Sequence, residues 1–146
     1  MSSVMVGEGG RRSEVLLIRR RAARALRRAW RDIEESDYDG AAFDAEQAVQ
    51  LYLKSLILEL AGGMPRTHSV RRLLYILGEL VGARESVEEY VRGRRLELRA
   101  LEDAYLNARY APQEYTREEA LDLVRLAEEV IRFAERLTGR PLQGSS

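Results

Sequence analysis

The stretch AAFDAEQAVQLYLKSLILEL, Ala41 to Leu60, decides the fold. Ala42, Ala45, Val49, Tyr52, Leu56 and Leu60 recur at spacings of three and four, which puts them on one face of a helix. A second file, Phe43, Ala48, Leu51, Ser55 and Leu58, covers much of the remainder. A helix apolar on most of its circumference needs neighbours on several sides, so this one is expected at the centre of a bundle. Only a narrow polar set is left: Asp44, Glu46, Gln47, Gln50, Lys54 and Glu59.

The flanking segments repeat the pattern. A first helix is expected from about Ser13 to Glu35, with Leu16, Ala23, Leu26, Trp30 and Ile33 as its buried stripe. Ser36-Asp37-Tyr38-Asp39-Gly40 ends it and supplies Asp37 or Asp39 as the next N-cap. Gly62-Gly63 and Pro65 stop the central helix, because proline cannot continue it. A third helix follows from about Ser69 to Val81, with Val70, Leu73, Leu74, Leu77 and Leu80 on its face. The fourth segment, Ser86 to Asn107, carries Gly93 in its interior, where a kink or break is expected. Residues 108–115 read as a loop. Thr116-Arg117-Glu118-Glu119 then forms a capping box that opens a last helix with Leu121, Val124, Ala127, Val130, Ile131, Ala134 and Leu137 as core. The expectation is an all-α, up-and-down bundle of about five helices over residues 13–138, with flexible tails at 1–12 and 139–146.

Composition narrows the function. Formal net charge is zero, but nine arginines face one acid between Arg11 and Arg31. Arginine is a fixed cation with a planar fork that fits carboxylate or phosphate. The basic helix is therefore either a solvated or dimer-facing surface or a phosphate-binding face. Apart from Lys54 every basic residue except His68 is arginine, a composition that a thermophile with dense ion pairs would share. Without cysteine there is no disulfide, thiolate nucleophile or thiolate metal site. One histidine leaves no pair for a metal, and no cofactor or membrane span is expected. The start of the chain lacks the apolar core of a secretory signal, which points to a cytoplasmic protein.

Three short patterns carry what chemistry there is. Gln47-Ala48-Val49-Gln50-Leu51-Tyr52-Leu53-Lys54 lies on the central helix. Pro65-Arg66-Thr67-His68-Ser69 follows, with Leu73-Leu74 beyond, and Tyr105-Leu106-Asn107-Ala108-Arg109-Tyr110 closes the fourth segment. Their order and spacing resemble the HEPN family, the small helical domains of higher eukaryotes and prokaryotes nucleotide binding, in its small stand-alone archaeal and bacterial type. The resemblance spans roughly Ser13 to Leu137. It implies a homodimer that binds a nucleotide or a protein, often beside a minimal nucleotidyltransferase in a toxin–antitoxin-like pair. The sequence departs from the family pattern twice. Ala111 intervenes before Pro112, where proline would directly follow Arg-Tyr. The arginine followed four to six residues later by histidine, which marks the family's ribonucleases, is absent: no histidine follows Arg109, and Gly62, Gly63 and Met64 stand at those distances before His68.

The candidate ligand-binding residues are accordingly Gln47, Gln50, Lys54, His68, Arg109 and Tyr110, with no catalytic residue assigned. His68 can bond a phosphate, or it can pack on the central helix while it or Thr67 caps the third. Lys54 can reach a phosphate, or pair with Glu46 or Glu59. Arg109 and Tyr110 can hold a phosphate and stack a base, or tie off helix carbonyls and fill the core. A ribonuclease with displaced catalytic residues, or an RNA or other nucleic-acid binder working through the first helix, are the alternatives. Trp30, Leu53, Leu58 and several tyrosines are expected to be left over for a dimer interface on the central or first helix.

Overall fold

The computed structural model describes residues 8–110 and 114–143, with the side chains of 8, 9, 109 and 110 outside that description. The described residues form six helices: α1 Glu8–Glu34, α2 Tyr38–Ala61, α3 Val70–Leu80, α4 Arg84–Gly93, α5 Arg95–Tyr110 and α6 Arg117–Thr138. The sixth helix arises where the fourth segment breaks after Gly93, at Arg94. Arg94 donates its amide to Val91, and its own carbonyl accepts from Leu98, so one helix ends as the next begins.

The cap chemistry explains the boundaries. Asp37 is the N-cap of α2 and accepts from the Gly40 amide. Asp39 instead accepts from the Tyr115 amide, tying the start of α2 to the entry of α6. Gly62 ends α2 in the left-handed region, φ 87°, where a side chain would be strained. Ser69, not Thr67 or His68, caps α3 by accepting from the Arg72 amide. Thr67 accepts from the Ser69 amide one step earlier. The Thr116–Glu119 capping box forms as expected. A side chain at Gly78 would meet Val87 Cγ2 at 2.8 Å, so this glycine sets the close approach of α3 and α4.

The central helix is enclosed by α1, α3, α5 and α6. Both of its apolar files are used: Ala42, Ala45, Val49, Tyr52 and Leu56 are sealed, and so are Ala48, Ser55 and Leu58. Leu53 is also fully buried within the chain, so neither it nor Leu58 is left over for a dimer mate. Trp30 is half-buried and donates its indole N–H to Glu128 of α6, 2.8 Å away. Leu16 and Leu80 were expected in the core but are exposed. The stripe of α1 runs instead through Val15, Ile18, Ala22, Ala25, Ala29 and Ile33, one position from Leu16.

Residues 1–7 and 144–146 of the expected tails lie outside the described residues, while the described parts of both tails are ordered against the bundle. Helix α1 begins at Glu8, ahead of Ser13. At the other end Leu142 is buried against the core, and its amide donates to Glu135. Arg140 pairs with Glu59 at 3.2 Å, while its carbonyl accepts from the Tyr52 hydroxyl. None of the described helices is long and apolar enough to cross a membrane.

Candidate functional site

The polar strip of α2 is a rail. Glu46, Gln50 and Lys54 stand at i, i+4 and i+8, one above the next, so each can touch its neighbour. Lys54 Nζ donates to Gln50 Oε1 at 3.0 Å. Gln50 Nε2 donates to Glu46 Oε2 at 2.6 Å, and Gln47 Nε2 donates to Glu46 Oε1 at 2.8 Å. The α2–α3 loop delivers His68, whose Nδ1 lies 3.0 Å from the same Gln50 Oε1. An ammonium can only donate, so the oxygen of Gln50 must face Lys54. The same oxygen then obliges His68 Nδ1 to carry its proton.

The rail runs from the interior to the surface. Glu46 is fully buried and Gln50 nearly so, whereas Lys54 is half-buried and His68 exposed. Burial pushes the Glu46 carboxyl up to about 7 from 4.5; the amides of Gln47 and Gln50 and the charge of Lys54 act against that, and Glu102 adds to it. Burial also lowers the Lys54 ammonium, against the attraction of Glu46. Lys54 thus bonds to the glutamine rather than pairing directly with Glu46 or Glu59. Glu59 lies with Arg19 and Arg140, whose bonds outweigh its burial and hold its carboxyl below the ordinary value.

Rings close the mouth. His68 stacks on Tyr105 of α5 with centroids 4.4 Å apart and planes at 20°. Tyr105 in turn lies 6.4 Å from Phe43 of α2. One turn beyond Tyr105, α5 ends at Arg109 and Tyr110, whose side chains are outside the described residues. The loop that carries His68 is itself anchored. Glu102 of α5 accepts from the Ser69 hydroxyl, the Arg71 amide and the Arg71 guanidinium, all at 2.9–3.0 Å. Of the residues expected at the site, Gln47, Gln50, Lys54 and His68 form one network. Glu46 and Tyr105 join them. Glu46 had a legible signal, since it is the buried end of the i, i+4, i+8 rail; Tyr105 reaches His68 only through tertiary packing.

A helical bundle with a Gln-Gln-Lys rail facing a Thr-His-Ser turn matches what the three short patterns imply, and the comparison with family models agrees: the HEPN domain model matches residues 15–137. The chain belongs to the HEPN domain family. No curated protein and no solved structure matches it. The HEPN match spans α2 through α5, α1 from Val15 onward and α6 up to Leu137, so the rail and the ring stack lie inside it. No cluster of three His, Cys, Asp or Glu side chains among the described residues is placed to hold a metal ion.

Proposed function

We propose that this HEPN domain is a non-catalytic module that binds the phosphates of a nucleotide at the mouth of the Glu46–Gln50–Lys54–His68 rail. The observation that carries the reading is the convergence of Lys54 Nζ and His68 Nδ1 on one oxygen of Gln50, each at 3.0 Å. That oxygen fixes both side chains from beneath. An ammonium has three donors, so Lys54 can keep its bond to Gln50 and still donate to a phosphate. Arg109 and Tyr110 enter by residue type alone, since an arginine can fork a phosphate and a tyrosine can stack a base. Charge-assisted bonds of this kind are about twice as strong as neutral ones.

The absence of the ribonuclease motif supports a binding role over catalysis. The single histidine is committed through Nδ1 to Gln50, and no arginine stands four to six residues before it. General acid–base help is worth about 10²–10⁴-fold in rate, and this chain has no histidine after Arg109 to supply it. We further propose a homodimer that works beside a minimal nucleotidyltransferase in a toxin–antitoxin-like pair. Membership of the HEPN domain family is what supports this part of the proposal.

Calorimetric titration of ATP and GTP tests the site. Weak binding that weakens further with salt is expected for wild type, and loss of binding for Lys54→Ala and Arg109→Ala with the fold intact. No heat of binding to wild type at low salt would leave only the protein-partner role.

A further inference from the structure

An arginine-lined groove lies where α1 meets the segment after α6. The groove, of about 480 Å³, is lined by Leu16, Arg19, Arg20, Arg24, Arg27 and Pro141 among others, with Ala23 and Leu142 as apolar floor. No acid lines it. Arg19 is spoken for: it bonds Ser55 at 3.0 Å and Glu59 at 2.7 Å. Arg20, Arg24 and Arg27 are exposed and take part in none of the ion pairs among the described residues. With Arg31 they fall at i, i+4, i+7 and i+11, a single stripe along the helix. At about 1.5 Å per residue, the three groove arginines follow one another at roughly 6 and 4.5 Å along the axis. The sequence pays for this stripe in self-repulsion on a helix that already has Arg19 and Arg28 to hold it to α2.

We infer that this groove takes the phosphodiester backbone of a single strand of nucleic acid. The repeat of guanidiniums matches a linear run of phosphates rather than one isolated anion. Residues 141–143 line the groove beside the arginine stripe, so one strand can lie between them. Exposed Leu16 and Pro141 beside the arginines offer apolar contact, and the guanidinium planes offer stacking, to bases but not to bare polyphosphate or an acidic peptide. The site shares no residue with the Lys54–His68 rail, so it stands whether or not that rail binds a nucleotide.

Fluorescence anisotropy with a labelled oligothymidylate tests it. Three phosphate contacts on a single strand predict a log–log salt slope near −2, so affinity should fall about 20-fold between 50 and 200 mM salt. The combined Arg20→Gln, Arg24→Gln, Arg27→Gln variant should bind at least tenfold more weakly at low salt and lose most of that slope. Its circular dichroism should be unchanged, since these side chains are exposed. Arg72→Gln, an exposed arginine outside both sites, should bind the strand as wild type does. Absence of binding at low salt, or equal binding by the triple variant, would overturn the proposal. So would displacement of the strand by inorganic polyphosphate or polyglutamate at equal charge concentration, because the groove would then be a general anion surface.

Discussion

Two carboxylates bracket the turn that carries His68, the fully buried Glu46 and the partly buried Glu102, and they are treated in opposite ways. Glu102 is met by a guanidinium, a backbone amide and a hydroxyl. Burial alone would push its carboxyl up, but the Arg71 bonds and the Ser69 bond outweigh it and hold the group below its ordinary value. Glu46 is buried more deeply and is met only by two neutral amides, with Lys54 two turns away. It is pushed up to about 7. The same residue type therefore serves as a structural tie in one place and remains under-compensated in the other. Perturbed carboxylates without a structural counter-ion gather at functional sites.

The largest effect expected from breaking the contrast is at Glu102. Glu102→Ala leaves the Arg71 guanidinium and the Ser69 hydroxyl without their shared partner and unties α5 from the start of α3. Removing one member of a buried pair typically destabilises by about 3–5 kcal/mol. Arg71 is about a third exposed, 31%, so the lower end, about 3 kcal/mol, is expected in urea unfolding at neutral pH. The loss should shrink in acid. A carboxylate held below its ordinary value contributes stability above that value and gives it up as pH falls through its folded pKa.

Glu46 has the opposite sign and a somewhat smaller effect. Its folded pKa, about 7, lies above the ordinary 4.5. The folded state therefore binds more protons than the unfolded chain between these values, and stability falls as pH rises from about 4.5 to 7. At about 1.4 kcal/mol per unit, the loss is at most about 3 kcal/mol and complete just above neutrality. Glu46→Gln should flatten this part of the stability profile, with little difference from wild type near pH 4.5 and a gain at pH 8 equal to what wild type has lost, at most about 3 kcal/mol. Asp32 adds a slope of the same sign in both proteins, since burial and the neighbouring Asp44 raise it to about 7. A variant profile as steep as that of wild type would mean that Glu46 is not the under-compensated group.

The same contrast explains what could be read in advance. The helices were legible because their signals are local: periodicity in α2, the Thr116–Glu119 box, the glycines that end α2 and α6. The central position of α2 followed from its lack of a polar face. The break after Gly93 was visible as a weak helix position, though counting it as a separate helix was not. Leu16 was misplaced because Val15, Leu16, Leu17 and Ile18 are all apolar, and a continuous run does not reveal which members face inward. The packing of Leu142 depends on Glu135, Arg140 and Glu59 from distant positions, which no local pattern encodes. Gln47, Gln50, Lys54 and His68 were named as candidates from the sequence, and the structure joins them in one hydrogen-bond network whose shared oxygen no local pattern encodes. That Lys54 and His68 share one oxygen, and that Glu102 rather than His68 governs the start of α3, are facts of tertiary contact.

The central claim is that the open end of the rail receives phosphate, and the chain offers a direct probe of it. His68 is the one histidine, so its ring resonances are unambiguous in a ¹H–¹⁵N spectrum tuned to imidazole. The account predicts that ATP shifts the His68 ring nitrogens saturably, and that Lys54→Met abolishes the shift while the ring remains stacked on Tyr105. A His68 spectrum unchanged by ATP at millimolar concentration would contradict it, whatever binds elsewhere on the molecule.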